Sequence, residues 1–329
     1  MFEDFWSRQQ NEQTEWLEMM PMGIPVRISA NQPGVLKAVK LSVGRFSSAA
    51  QSSLRAVSLK IVVQPQPAGP VPNELPERMM YAGVDRWITL SAGLWGHGFA
   101  NLATREAVIF LSPELARDTR LVSRYFVDHY LLNFILTEWA MLHASCVLTP
   151  NKYRLIIMIA AHNTGKSTTA FRLLRAGFPF LADGMALLRR VGRGFEIGGY
   201  PIGEVKLRDD VLDTFPDYKG QQVQVREQSK TVVDLGLAHS ADVVTSTIQP
   251  DEISLCFLTR KGKAASTLEE IFPEEAQALL SGNSVYWDEP ARVAHNQTVL
   301  QALVEQASLY RVWLGQDVAR LAAVFAKLL

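Results

Sequence analysis

Leu155-Ile156-Ile157-Met158-Ile159, then Ala160-Ala161-His162-Asn163-Thr164-Gly165-Lys166-Ser167, then Thr168-Thr169-Ala170-Phe171-Arg172-Leu173-Leu174: this stretch decides the fold. The apolar run predicts a strand, the last segment a helix, and the eight residues between them a tight loop. A strand, a loop ending in Gly-Lys-Ser and a helix form the context in which a phosphate-loop match has physical meaning. The helix start leaves backbone N–H groups unpaired, and with the helix dipole these favour a polyphosphate. Lys166 is expected to reach the β- and γ-phosphates and Ser167 to face a magnesium ion, with Ala161, His162, Asn163, Thr164, Gly165 and Thr168 completing the nucleotide loop. Ala160 stands where the common pattern has its first glycine. A methyl group is tolerable there at negative φ, and Asn163 is among the few non-glycine residues that accept the left-handed region.

Outward from the loop, the chain predicts a mixed α/β protein of two domains. The second, 142–329, is a nucleotide-binding core, and the first, 1–141, is an N-terminal α+β domain. Phe2, Phe5, Trp6, Trp16, Leu17 and Met20 fit an amphipathic N-terminal helix that docks on the body of the protein or on a second copy, which makes a homo-oligomer an expectation. Strands are expected at 25–30, 57–63, 86–90 and 106–111, and a helix at 35–46. The proline-dense segment from Gln64 to Pro72 excludes a central strand or helix and predicts a surface loop over 64–76. A long helical pattern from Pro113 to Leu142, broken near Thr119, leads into a strand beginning at His143.

A length of 329 residues and 48% hydrophobic content fit a globular chain, and 33 acidic against 33 basic side chains give no preference for nucleic acid or a membrane surface. Cys146 and Cys256 lie in apolar runs without metal-ligand spacing, so they read as reduced core residues. The acid and aromatic N-terminus lacks a secretion pattern, and no apolar run is long enough to cross a bilayer, so a cytoplasmic location is expected.

Phosphoryl transfer also needs a group that positions or deprotonates the acceptor hydroxyl. Asp183, ending the run Phe178-Pro179-Phe180-Leu181-Ala182-Asp183, is the candidate for that role and for a magnesium contact, although Asp183-Gly184 is also a turn signal. His143 reads from the residues alone as a strand-end histidine. Lys206, Arg208 and Lys230 could reach a phosphate or be solvated, while Asp209-Asp210 is expected to cap a helix near Val211.

Taken together, His143-Ala144-Ser145-Cys146-Val147, Gly165-Lys166-Ser167-Thr168-Thr169-Ala170 and Arg175-Ala176-Gly177-Phe178-Pro179-Phe180-Leu181-Ala182-Asp183 resemble, in order and spacing, the core of the HPr kinase/phosphorylase family, over about residues 143–235. The chain looks closest to its divergent HPr-kinase-related members. The resemblance implies a phosphate-loop fold related to ATP-dependent phosphoenolpyruvate carboxykinases and ATP-dependent phosphorylation of a serine. It implies that Lys166 and Ser167 serve phosphate and magnesium, that Asp183 is the base, and that His143 lies beside that base and orients it. Gly184 replaces the second acid of the family pair, and Thr168 replaces a glutamate. The expected activity is therefore an ATP- and Mg²⁺-dependent kinase acting on a protein, peptide or small-molecule hydroxyl. The alternative is a nucleotide-binding switch or scaffold that transfers nothing.

Overall fold

The computed structural model describes residues 15–46, 55–72, 75, 80–84, 86–213, 215, 217–225, 228–238, 241–260, 265–281, 290–315 and 321–328. The chain divides into two compact units, Met1–Glu138 and Trp139–Leu329, and each mixes strands with helices in an α/β composition. No helix among the described residues is long and apolar enough to cross a membrane.

In the first unit one sheet runs Glu15–Met19, Val26–Ala30, Val57–Val63, Glu106–Leu111, Gly96–Asn101, Trp87–Ser91 and Met80–Val84 in spatial order. Val57–Val63 is parallel to both of its neighbours. Its Val57, Leu59 and Ile61 are fully buried while Lys60 is exposed, a period-two pattern that gives way to burial on both faces at Val62 and Val63. Two expectations need correction. Trp16 and Leu17 belong to an antiparallel edge strand paired with Val26–Ala30, not to a helix, because their burial alternates every second residue; Phe2, Phe5 and Trp6 lie outside the described residues. The helical pattern of 113–142 ends at Ile135, and Ala140–Leu142 is a strand. Within the helical part the break falls at Asp118, whose carboxylate accepts from the Leu121 N–H at 3.0 Å and so starts a new turn. Gln64 to Pro72 has no regular structure, as expected from its prolines.

In the second unit a six-stranded sheet has the order Phe180–Asp183, Ser145–Leu148, Arg154–Ile159, Glu252–Arg260, Ser308–Leu314, Thr267–Glu270. Arg154–Ile159 is parallel to Glu252–Arg260, which is parallel to Ser308–Leu314. Ser145–Leu148 is antiparallel both to Arg154–Ile159 and to Phe180–Asp183. Two antiparallel pairings make Phe180–Asp183 run the same way as Arg154–Ile159. The loop after Ile159, Asp183, Arg260 and the start of Ser145–Leu148 therefore all lie at one edge of the sheet. Crevices outside the carboxyl ends of parallel strands are where α/β sheets bind ligands.

The strands around this edge are apolar on both faces. Leu155, Ile157, Ile159, Cys146, Leu255 and Phe257 join one core with Leu300 and Leu303 of the helix Pro290–Gln306. Each such side chain contributes about 1.5–3 kcal/mol on burial, so the strands are fixed by packing and the polar chemistry is left to their ends. Both cysteines are buried free thiols. Two three-stranded sheets complete the unit. Ala140–Leu142, Met185–Val191 and Gly194–Tyr200 form one, and Glu204–Leu207, Gln228–Asp234 and Gly220–Val225 the other. The main-chain N–H of Met141 is satisfied by the buried Asn296 side chain at 2.7 Å. At Gly199 an added Cβ would fall 2.0 Å from the Leu181 carbonyl oxygen, so only glycine lets this strand lie against Phe180–Asp183.

Candidate functional site

Residues 160–165 form the turn between Arg154–Ile159 and the helix Lys166–Arg175. Asn163 adopts φ 61°, the left-handed conformation its short polar side chain tolerates. Gly165 takes φ 121°, which a residue with a Cβ rarely reaches. Ala160 is not among the positive-φ residues, which is why alanine serves in the first glycine's place. The loop is held from two sides. The Lys166 ammonium donates to the Ala160 carbonyl at 2.7 Å and more weakly to that of Ala161. Arg260 Nε donates to the Thr164 carbonyl at 2.9 Å.

A cavity of about 230 Å³ opens beside this loop. It is lined by His162, Asn163, Gly165, Lys166, Ser167 and Thr168 of the loop and helix start, and by His143, Asp183 and Gly184. Lys206 and Lys230 come from a second sheet, Arg208, Asp210 and Val211 from the segment after Leu207, and Arg260 from the neighbouring parallel strand. Ala161 and Thr164 contribute only backbone carbonyls to the arrangement. Lys166 is nearly buried, and desolvation lowers its proton affinity, opposed by the Asp183 charge and assisted by that of Lys230.

Asp183 is 6% exposed. Its Oδ1 accepts from the Ser145 hydroxyl at 2.5 Å and its Oδ2 from the Lys206 backbone N–H at 3.1 Å. The first bond follows from register, since Asp183 and Ser145 are partners across the ladder. Ser145 is completely buried, so its hydroxyl has no water to turn to. His143 Nδ1 bonds the Gly184 carbonyl at 2.7 Å, and the side-chain donor to Asp183 is Ser145. A carbonyl can only accept, so Nδ1 carries the proton and Nε2 the lone pair when the ring is neutral. Neutrality at pH 7 is favoured because desolvation, then the Lys166 charge, depress the His143 proton affinity below its usual value, against smaller opposing effects of the Gly184 carbonyl and Asp183.

Asp209 and Asp210 do not cap by side chain, contrary to expectation. The cap position is Arg208, both acids sit in the first helical turn, and Asp210 forms a two-bond ion pair with Arg208. Asp209 accepts from Thr231 at 3.1 Å instead. No group of three or more His, Cys, Asp or Glu side chains among the described residues could hold a metal by itself. The donor set still suits Mg²⁺ arriving with a triphosphate, since that ion keeps waters and phosphate oxygens and takes one or two protein ligands. The Ser167 hydroxyl and the lone pairs left on Asp183 are of that kind.

Ser145 and Arg260 were missed by sequence reasoning. A serine in an apolar strand carries no local signal, although its place two residues after His143 could have prompted the question. Arg260 lies 94 residues beyond Lys166, and only the parallel pairing of its strand with Arg154–Ile159 brings it to the loop.

No protein-family model matches the chain, and no curated protein does. Among solved structures it is similar to the HPr(Ser) kinase/phosphatase from Coxiella burnetii, at 11% identity over 57% of this chain and 94% of that one, with a TM-score of 0.30. That score is too low to bear on function, which is read below from the side chains of the cleft.

Proposed function

We propose that the second unit is an ATP- and Mg²⁺-dependent kinase that transfers the γ-phosphate to a hydroxyl, of serine type, on a protein, peptide or small-molecule acceptor. The observation that carries this reading is a carboxylate held by two donors in the same cleft as a Gly-Lys-Ser helix start. The acceptor oxygen bonds to the γ-phosphorus, the bond from that phosphorus to the β,γ-bridging oxygen breaks, ADP leaves, and the hydroxyl proton passes to Asp183. Lys166 and the N–H groups at the helix start hold the triphosphate, and Arg260 holds the loop in shape. Ser145 and the Lys206 N–H fix the carboxylate in position, and His143, held by the Gly184 carbonyl, lines the same cleft. Magnesium, when bound, neutralises charge on the triphosphate, with Ser167 and Asp183 as the residues to hold it. The sequence resemblance to the HPr kinase/phosphorylase family points the same way.

Positioning and charge neutralisation supply most of the acceleration in such a site. Lys166→Ala should abolish transfer from γ-labelled ATP while the protein stays folded. A folded variant that transferred phosphate at the parental rate would overturn the mechanism. The switch or scaffold reading draws on the same two bonds, since both Asp183 oxygens already have protein donors. Nucleotide binding without ADP formation under any acceptor would favour it.

A further inference from the structure

The cleft has a second bank of cations that the loop does not account for. Lys206 and Lys230 lie on adjacent strands of the Glu204–Leu207, Gln228–Asp234 and Gly220–Val225 sheet, where Lys206 is the register partner of Val232. Side chains alternate along a strand, so Lys206, Val232 and Lys230 share one face, with the two lysines diagonal neighbours about 7–8 Å apart at their backbones. Val205, Leu207, Thr231 and Val233 on the opposite face are buried. The charged face is itself divided. Glu204 and Asp234 are register partners at the end that does not line the cavity, Lys206 and Lys230 occupy the end that does, and Arg208 and Asp210 join the lining from just beyond Leu207.

Asp183 joins this bank to the loop, because Lys206 supplies the backbone N–H to its Oδ2. Lys230 lines the same cavity as Lys166 and is within electrostatic reach of it. Arg208, whose planar fork would suit a carboxylate, already spends that fork on Asp210. The bank's other cations are lysines, point charges that can meet a phosphate from any direction without a fixed fork geometry.

We propose that the acceptor is a phosphomonoester bearing a free hydroxyl, whose phosphate sits on Lys206 and Lys230 while its hydroxyl faces Asp183. This rests on the kinase reading. The test loads the full chain with Mg²⁺ and a non-hydrolysable ATP analogue, which fills the γ-phosphate position, and then titrates inorganic phosphate by calorimetry. One phosphate should bind to the loaded parent. Lys206→Gln should weaken that binding tenfold or more, leave analogue affinity within twofold, and be rescued by Lys206→Arg. The Lys206 bond to Asp183 comes from the main chain, so the variant retains it. Absence of phosphate binding to the loaded parent, or acetate binding as tightly as phosphate, would overturn the proposal. So would a tenfold loss of analogue affinity in Lys206→Gln, since the lysine would then belong to the triphosphate. A parent that fails to bind the analogue would instead overturn the kinase reading on which the subsite depends.

Discussion

Replacing Ser145 with alanine removes one oxygen from a fully buried position and deletes the 2.5 Å hydrogen bond to Asp183 Oδ1. Little volume is lost, so the consequence is electrostatic and orientational. A hydrogen bond to a charged group contributes about 1.5–3 kcal/mol, and leaving a buried acceptor short of a donor costs about the same. Asp183 is 6% exposed, so water cannot fully replace the hydroxyl. The urea midpoint should fall by an amount equivalent to about 1–3 kcal/mol. If the bond also holds the carboxylate toward the acceptor hydroxyl, turnover should fall roughly ten- to a hundredfold, since about 1.4 kcal/mol is a factor of ten. The loss should be partial, because the Lys206 N–H still holds Oδ2. The assay is ADP release with the acceptor that γ-labelled ATP marks in a lysate of the source cell, run beside urea unfolding. Ser145→Thr, which restores a hydroxyl, should recover much of the rate. Parental turnover together with a parental urea midpoint in Ser145→Ala would refute the assignment of Ser145 as the residue that positions Asp183.

Two further outcomes are expected. The His143 ring, followed by NMR, should titrate below 6.5. The unfolded chain then takes up the proton at higher pH than the fold does, so this residue's contribution to stability is complete above pH 6.5 and declines as pH falls through that value toward the folded midpoint. A midpoint above 6.5 would show that Asp183, not desolvation and Lys166, dominates its surroundings. Gly184 has φ 110° with open space where a Cβ would stand. Gly184→Asp, which restores the acid the resemblance expects, should therefore cost about 1–3 kcal/mol from backbone strain alone; a variant as stable as the parent in a urea titration would contradict this.

Much of the site can be read along the chain because its parts are local. A run of five apolar residues, a six-residue turn and a helix follow one another without interruption, and Asn163 and Gly165 meet the turn's conformational demands with their own side chains or the lack of one. Asp183 was legible for the same reason, as the acid that ends an apolar strand soon after the helix. The Glu15–Met19 strand shows where such reading fails. Apolar residues near the N-terminus fit a helical stripe as well as an alternating one, and pairing with Val26–Ala30 settled the matter.

By itself, then, the sequence determined the strand, the loop, the helix and the acid, each specified by hydrogen bonds and torsions within a few residues. Tertiary structure alone decided which side chains meet. Ser145 reaches Asp183 because two antiparallel strands pair in one register, and a slip of one residue would turn the hydroxyl to the other face. Arg260 reaches Thr164, and Lys206 reaches Asp183, through pairings with strands distant in sequence. His143 meets the Gly184 carbonyl for the same reason: the register that pairs Asp183 with Ser145 sets the residues on either side of them next to each other.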